Sequence, residues 1–173
     1  MVTVDANVVS YYWILKTGNQ LPEGLRAQRL RDFSARVLDE YPIAMNDFIR
    51  TEYEGVLGVA VVKNWLTHRL KAGLLCPVQY ARFSGNVRRR LRDDYGFDCN
   101  SRDSRYLESC NQTAFKVLVT ANTRHFHRPH RQRDRRGMPS YLERELGIRI
   151  RTIDDCCVLL LDDVRPVSDN DGS

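Results

Sequence analysis

The sequence predicts an α/β fold with a central, mostly parallel sheet. Short apolar, β-branched runs alternate along the chain with longer segments in which apolar residues recur at helical spacing. Two of these runs close on polar residues, Asp5 at the end of the first and Asn122 after a later one. Because open α/β sheets place their ligands beyond the carboxyl ends of the strands, these polar residues are predicted to share one site.

The first half of the chain is predicted to hold two strands and a series of helices. In chain order, the pattern predicts a strand at 2–4, a helix at about 6–16, a helix opening at Pro22, a strand at 43–45, a helix capped by Asn46 that carries Glu52, and a further helical stretch at 59–70. Strands that alternate with helices are typical of parallel pairing within one domain.

The second half continues the alternation. It is predicted to contain a basic helix at about 78–94, a helix that is capped by Ser101 and begins near Asp103, strands at 116–120 and 147–152, and a last helix at 154–161. Asp103, Leu107 and Cys110 fall on one helix face, so the acid occupies the first turn of a helix whose next turns are buried. A single domain is therefore predicted over 1–161, and 162–173 is predicted to be a flexible acidic tail.

Composition favours a globular protein without a membrane segment. Hydrophobic residues make up 42% of the 173-residue chain and charged residues 28%. No apolar run approaches the roughly 20 residues that span a bilayer, and Asp5 interrupts the N-terminal run, which argues against a signal peptide. The five cysteines are odd in number and form no CxxC pair. They are predicted to be reduced thiols in a cytoplasmic protein.

The net charge of +5 is concentrated in two basic stretches. One is Arg88-Arg89-Arg90-Leu91-Arg92, for which a solvated helix face and a polyanion contact are both open interpretations. The other is predicted to be a loop insertion at about 124–141, because it contains Pro129, Gly137 and Pro139. Its six arginines are predicted to contact the phosphates of RNA: Arg124, Arg128, Arg131, Arg133, Arg135 and Arg136.

Three segments together resemble the PIN domain, the fold of many metal-dependent ribonucleases, including VapC-type toxins. Val4-Asp5-Ala6-Asn7-Val8 resembles the family's opening strand. The stretch from Asn46 to Leu57 is similar to the helix that brings a second acid, Glu52. The stretch from Asp103 to Asn122, with Val119-Thr120-Ala121-Asn122 at its end, resembles the family's segment of acid, helix and strand. The resemblance covers most of the chain, although the motifs are specific only in combination.

The resemblance implies a three-layer α/β/α fold and a site in which Asp5, Glu52 and Asp103 bind Mg²⁺ or Mn²⁺. Elementary chemistry agrees, because these cations prefer oxygen ligands and offset the repulsion between converging carboxylates. A bound cation also helps to deprotonate the attacking water and stabilises the leaving oxygen. By the same resemblance, Asn7 and Thr120 orient ligands or water from outside the ligand set.

Asn122 stands where many members of the family have a fourth carboxylate. An amide can position water but brings no charge, so the resemblance implies one metal, or a second metal brought by the substrate phosphate. The predicted activity is endonucleolytic hydrolysis of RNA. The alternative is a PIN-like module that binds RNA or protein without efficient cleavage. Single-stranded DNA is not excluded as a substrate, because phosphate contacts do not sense the sugar.

The resemblance also implies binding partners. These are RNA, a small antitoxin protein if the chain is the toxin of a toxin–antitoxin pair, and a second copy in a homodimer. The histidines His125, His127 and His130 are predicted to lie at the surface or to face RNA rather than to bind metal, because no acid or cysteine completes a zinc set around them.

Overall fold

A computed structural model describes residues 1–21, 27–33, 37–39, 41–131 and 136–153 of the chain. The described strands are short, and most of them are buried apolar runs. They are β1 (Thr3–Val4), β2 (Ile43–Met45), β3 (Leu75–Pro77), β4 (Val117–Val119) and β5 (Arg149–Arg151). Four of them lie where the apolar, β-branched runs predict them. The mixed α/β fold class is thereby confirmed.

All the pairings among the described strands are parallel. β1, β4 and β5 form one sheet in that order, and β2 pairs with β3 in a second sheet. A parallel bridge between Val2 and Ile43, with the N–H of Ala44 donating to the carbonyl of Val2 at 2.8 Å, joins β1 to β2. The strands therefore lie side by side in the order β3-β2-β1-β4-β5, and their carboxyl ends meet at one edge.

The helices are longer than the strands and supply most of the packing around them. They are α1 (Ala6–Lys16), α2 (Ala27–Phe33), α3 (Asp47–Leu57), α4 (Val59–Lys71), α5 (Gly85–Tyr95), α6 (Arg102–Cys110), α7 (Thr123–Phe126) and α8 (Met138–Tyr141), which runs on into a π-helical turn at Leu142–Leu146. Of the helices that the structure describes, none is both long and apolar enough to cross a bilayer. The core combines buried residues of the strands with those of α1, α3 and α6.

The predicted N-caps are confirmed. Asn46 Oδ1 accepts from the N–H of Ile49 at 2.9 Å at the start of α3, and Ser101 Oγ accepts from the N–H of Ser104 at 3.2 Å at the start of α6. Each of these side chains satisfies a backbone donor that the first helical turn leaves without a partner. The two caps fix where Glu52 and Asp103 fall along their helices.

The prediction of one basic helix over 78–94 is wrong at its N-terminal end. Residues 78–84 have no regular structure, and the helix begins at Gly85 because Ser84 caps it by accepting from the N–H of Val87. Before it lies β3, which the sequence did not predict. Three residues that end on a proline give no periodic pattern, and such a strand is tolerated at a sheet edge.

The segment 124–141 is not a loop throughout. Its ends are helical, in α7 and α8, and regular structure is missing from 127–131 and 136–137 within the described part. Pro139 lies inside the first turn of α8, a position that proline tolerates because the missing N–H has no helical partner there. The opening of the second helix at Pro22, the helix predicted at 154–161 and the tail 162–173 lie outside the described residues.

Candidate active site

The predicted site residues lie where the sheet reverses its winding direction. Asp5 follows β1, and Thr120 and Asn122 follow β4, the strand that pairs with β1. From this pair the chain adds β2 and β3 on one side and β5 on the other. The connecting segments leave such a switch point in opposite directions, which opens a crevice where parallel α/β sheets bind their ligands.

Asp5 is buried and held by two hydrogen bonds. Its Oδ2 accepts from Thr120 Oγ1 at 2.7 Å, and its Oδ1 accepts from the backbone N–H of Asn7 at 3.2 Å, which makes Asp5 the N-cap of α1. Thr120 Oγ1 in turn accepts from the N–H of Asn122 at 2.9 Å. Thr120 therefore links Asp5 to Asn122, while Asn7 acts on Asp5 through its backbone and keeps an exposed side chain.

Two of the predicted acids, Glu52 and Asp103, lie close enough to Asp5 to act on its carboxyl. Burial raises the pKa of the Asp5 carboxyl, the hydrogen bonds from Thr120 and Asn7 oppose that rise, and the negative charges of Asp103 and Glu52 add to it. The three acids come from segments that are far apart in sequence. Their joint role as metal ligands stays a prediction.

Contacts between α3 and α6 bring Glu52 and Asp103 to the same place. Asn46 Nδ2 donates to Ser109 Oγ at 2.8 Å, and the ring of Phe48 meets that of Tyr106 edge-on, with their centroids 5.2 Å apart. These contacts join the start of α3 to the later turns of α6, so the two helices run in opposite directions and Glu52 comes to lie beside the start of α6. Glu52 is largely buried and lies 3.5 Å from the guanidinium of Arg102, which is 80% exposed. An ion pair that is this exposed stabilises the fold little.

His125 belongs to the site, which its sequence context did not predict. Its Nδ1 lies 2.6 Å from Asp103 Oδ2 and 2.9 Å from Asn122 Nδ2. One ring nitrogen cannot donate to the first and accept from the second at the same time, and the bond to the carboxylate is the shorter. The spacing could have revealed this role, because His125 follows Asn122 by three residues into α7 and so returns to the same side of the chain.

Two buried tyrosines also hold the site and were not predicted. Tyr53 OH donates to the carbonyl of Val4 at 2.7 Å, and Tyr106 OH accepts from the N–H of Ala6 at 3.1 Å. Burial raises the pKa of both phenols, so they stay neutral. The two bonds fasten the helices that carry Glu52 and Asp103 to the backbone on either side of Asp5.

The arginines of the basic stretch do not share one environment. Arg124, Arg131 and Arg136 are exposed, as phosphate contact requires, and Arg133 and Arg135 lie outside the described residues. Arg128 is half-buried, and it donates to the carbonyls of His125 at 3.0 Å and Gly96 at 2.8 Å. We therefore assign Arg128 to holding the loop against the end of α5.

His130 does not face the solvent, contrary to the prediction. Its side chain is 3% exposed, it packs edge-on against Tyr95 with ring centroids 5.1 Å apart, and its Nε2 lies 3.8 Å from Asp94 Oδ2. The backbone N–H of Arg131 donates to the carbonyl of Asp94 at 2.9 Å. The basic stretch is thus folded onto α5, which places the two basic segments of the sequence side by side.

The donor chemistry fits Mg²⁺ or Mn²⁺, because Asp5, Glu52 and Asp103 offer oxygen ligands only. The side chains are not arranged as a closed ligand cage. Within the described ranges, no three His, Cys, Asp or Glu side chains form a group that could hold a metal ion. The carboxylate of Asp103 contacts His125, and that of Glu52 contacts Arg102. To bind a cation, each carboxylate would have to give up this partner.

Comparison with known proteins gives no relative: no family model, no curated protein and no solved structure matches the chain.

Asp5→Asn is expected to stabilise the metal-free protein at pH 7. The pKa of Asp5 in the folded state lies above its ordinary value of 3.8, so the folded protein binds the proton more tightly than the unfolded chain does. Its contribution to stability is fully present below pH 3.8 and is lost as the pH rises through the folded-state pKa. Asparagine does not ionise and caps helices as well as aspartate does.

The measurement is urea unfolding of both proteins in EDTA at pH 4 and pH 7. The stability advantage of the variant should be larger at pH 7 than at pH 4. An advantage that is independent of pH, or a variant that is less stable at pH 7, contradicts the assigned cause.

Proposed function

We propose that this protein is a metal-dependent endoribonuclease with a PIN-like fold, which hydrolyses phosphodiester bonds in RNA. The observation that carries the proposal is the position of Asp5, buried at the switch point of a parallel sheet and bonded to Thr120, where the negative charges of Glu52 and Asp103 act on its carboxyl. Burying the Asp5 carboxylate beside two further negative charges is costly unless a cation joins them. A buried acid whose pKa is raised in this way is more often part of a functional site than of a structural one.

The strand order supports the three-layer α/β/α arrangement within this proposal. Parallel crossovers are right-handed in almost all proteins. The chain runs outward from β1 to β2 and β3, and then returns to β4 and β5 in the opposite direction. In the proposed arrangement, right-handed crossovers in opposite directions would put α1–α4 on one face of the sheet and α5–α8 on the other.

Each site residue has a distinct role in the proposed reaction. Asp5, Glu52 and Asp103 would hold Mg²⁺ or Mn²⁺, which supplies an activated water and stabilises the leaving oxygen. Thr120 keeps Asp5 oriented through the 2.7 Å hydrogen bond. Asn122 positions water. Arg124, Arg131 and Arg136, together with Arg133 and Arg135, contact the phosphate backbone.

The test is cleavage of a labelled single-stranded RNA by the purified protein in Mg²⁺, in Mn²⁺ and in excess EDTA. We expect cleavage with either metal and none in EDTA. Full activity in excess EDTA would rule out the proposed mechanism. A readout that does not depend on activity is urea unfolding with Mn²⁺, because a ligand of the folded state at one hundred times its Kd adds about 2.7 kcal/mol of stability.

A second candidate is a module that binds RNA without cleaving it. Two observations favour it: Asn122 brings no charge, and His125 already occupies Asp103 at 2.6 Å. RNA binding with neither metal binding nor cleavage in the same assays would favour this candidate. The role of a toxin with a small antitoxin partner stays a prediction. It is tested by asking whether expression stops growth and whether Asp5→Ala relieves the arrest.

A further inference from the structure

A second groove lies at the same sheet edge as the acids. It has a volume of about 860 Å³ and opens beyond the carboxyl ends of β2 and β3, where Met45, Phe48 and Pro77 contribute to its walls. In the strand order, β2 and β3 lie on the other side of β1 from β4. The groove is therefore separate from the basic stretch 124–136, which follows β4.

The charge of the groove is positive. Arg50, Arg82 and Arg105 line it, and Asp47 is the one acid among its lining residues in the described part of the chain. Asp47 lies 3.4 Å from Arg50 but has a side chain that is 96% exposed, so water screens this pair. The structure gives neither Arg82 nor Arg105 an ion pair with a described carboxylate.

Aromatic rings accompany these cations. The guanidinium of Arg105 lies 5.4 Å from the centre of the Phe48 ring. The ring of Tyr80 is partly exposed at the groove, and its hydroxyl donates to Glu108, a buried carboxylate that also accepts from the N–H of Phe83 at 3.1 Å. A positive groove with fixed aromatic side chains is the arrangement that binds single strands, because each stacked base contributes about 1–3 kcal/mol.

The groove also adjoins the acids through α6 and α3. Arg105 follows Asp103 by two residues on α6, and Phe48 precedes Glu52 by four residues on α3, so the same two helices line the groove and carry the acids. A strand that places a phosphate at the acids can continue over these helices into the groove.

We propose that the groove bounded by Arg50, Arg82, Arg105, Phe48 and Tyr80, the β2–β3 groove, binds the single-stranded segment that flanks the scissile phosphate. This inference rests on the proposed nuclease function and names the form of its substrate, an unpaired strand with phosphates on the arginines and a base against the rings. A duplex does not offer its base faces to such rings.

The first test measures how the affinity for a fluorescent 12-nucleotide RNA depends on salt, in EDTA so that the strand stays intact. On single strands, the log–log slope changes by about 0.7 for each phosphate contact. R82Q combined with R105Q should therefore make the slope shallower by about 1.4. R144Q is the matched control, because Arg144 is exposed on the π-helical turn that precedes β5, and it should leave the slope unchanged.

The second test adds a contact instead of removing one, so that a folding defect cannot imitate the result. Gln79 is exposed and lines the groove. Q79K should tighten binding and make the slope steeper by about 0.7. Repeating the series with DNA of the same sequence separates the sources of affinity. If the substitutions change RNA and DNA binding equally, the groove contacts phosphates and bases. If they change RNA binding alone, the groove contacts the 2′-hydroxyls as well.

The results separate this inference from the function on which it rests. If the slopes change as expected but no metal-dependent cleavage is seen, the groove binds single strands and the proposed nuclease function is wrong. If metal-dependent cleavage is seen but both the R82Q/R105Q and the Q79K proteins keep the wild-type slope, the proposed role of the groove is wrong and the proposed nuclease function stands.

Discussion

Asp103→Asn is expected to lower metal-dependent RNA cleavage by roughly 10²-fold or more. The substitution keeps the size of the side chain and removes the negative charge that the cation requires. Because Asp103 lies in the first turn of α6 and its side chain is partly exposed, the fold should tolerate the change. The measurement is single-turnover cleavage at saturating Mn²⁺, with the free energy of unfolding determined on the same preparation.

The matched control for this prediction is Asp93→Asn. Asp93 is an exposed aspartate on α5 that lies 2.9 Å from Arg92, and neither residue contacts the acids of the site. Its loss should leave cleavage within about 3-fold of wild type, as is usual for a surface change away from a functional site. If Asp103→Asn retained wild-type cleavage as well, Asp103 would have no part in the reaction.

Asp103 and Asp5 are expected to differ in what their substitution does to stability. Asp5 is buried, so its charge opposes folding of the metal-free protein, and Asp5→Asn removes activity while adding stability at pH 7. Asp103 is partly exposed and pairs with His125, so Asp103→Asn removes activity at a small cost in stability. If both variants lose activity while Asp5→Asn gains stability and Asp103→Asn loses a little, the loss of activity cannot be due to unfolding.

The features that the sequence predicted are those that local chemistry determines. Asn46 and Ser101 cap helices by bonding to N–H groups three residues ahead, so their own neighbourhood is enough to identify them. Most of the strands are buried apolar runs. The acids could be placed because each follows such a run or lies on a capped helix, and strand order then brings them together.

The features that were missed depend on contacts between distant segments. Tyr106 binds the N–H of Ala6 across a hundred residues of sequence, and nothing near either residue indicates the bond. His130 is buried because the stretch after α7 folds onto α5, although its arginine-rich surroundings resemble a solvated loop. β3 forms only by pairing with β2. Its three residues show no periodic pattern from which a strand could be predicted.

The position of His125 illustrates the same point at the site. α7 has four residues, too few to be stable without tertiary contacts. Phe126, at its end, is fully buried and lies 6.4 Å from the ring of Phe97, measured between centroids. This contact anchors α7, and through α7 it sets where His125 meets Asp103 and the side chain of Asn122.

Phe126→Ala is therefore expected to destabilise the protein by about 3–5 kcal/mol, because it leaves a cavity in the core beside Phe97. Phe126→Leu should cost less, about 1–2 kcal/mol, since leucine fills much of the same volume. Urea unfolding of the three proteins measures both values. Cleavage assayed where all three are folded should fall more in the alanine protein than in the leucine protein, because α7 loses its anchor and Asn122, which directly precedes α7, is no longer held where it would position water. Removing a fully buried phenylalanine from a close-packed core should cost well over 1 kcal/mol. A loss of stability below about 1 kcal/mol for Phe126→Ala would therefore mean that contacts other than that of Phe126 position α7.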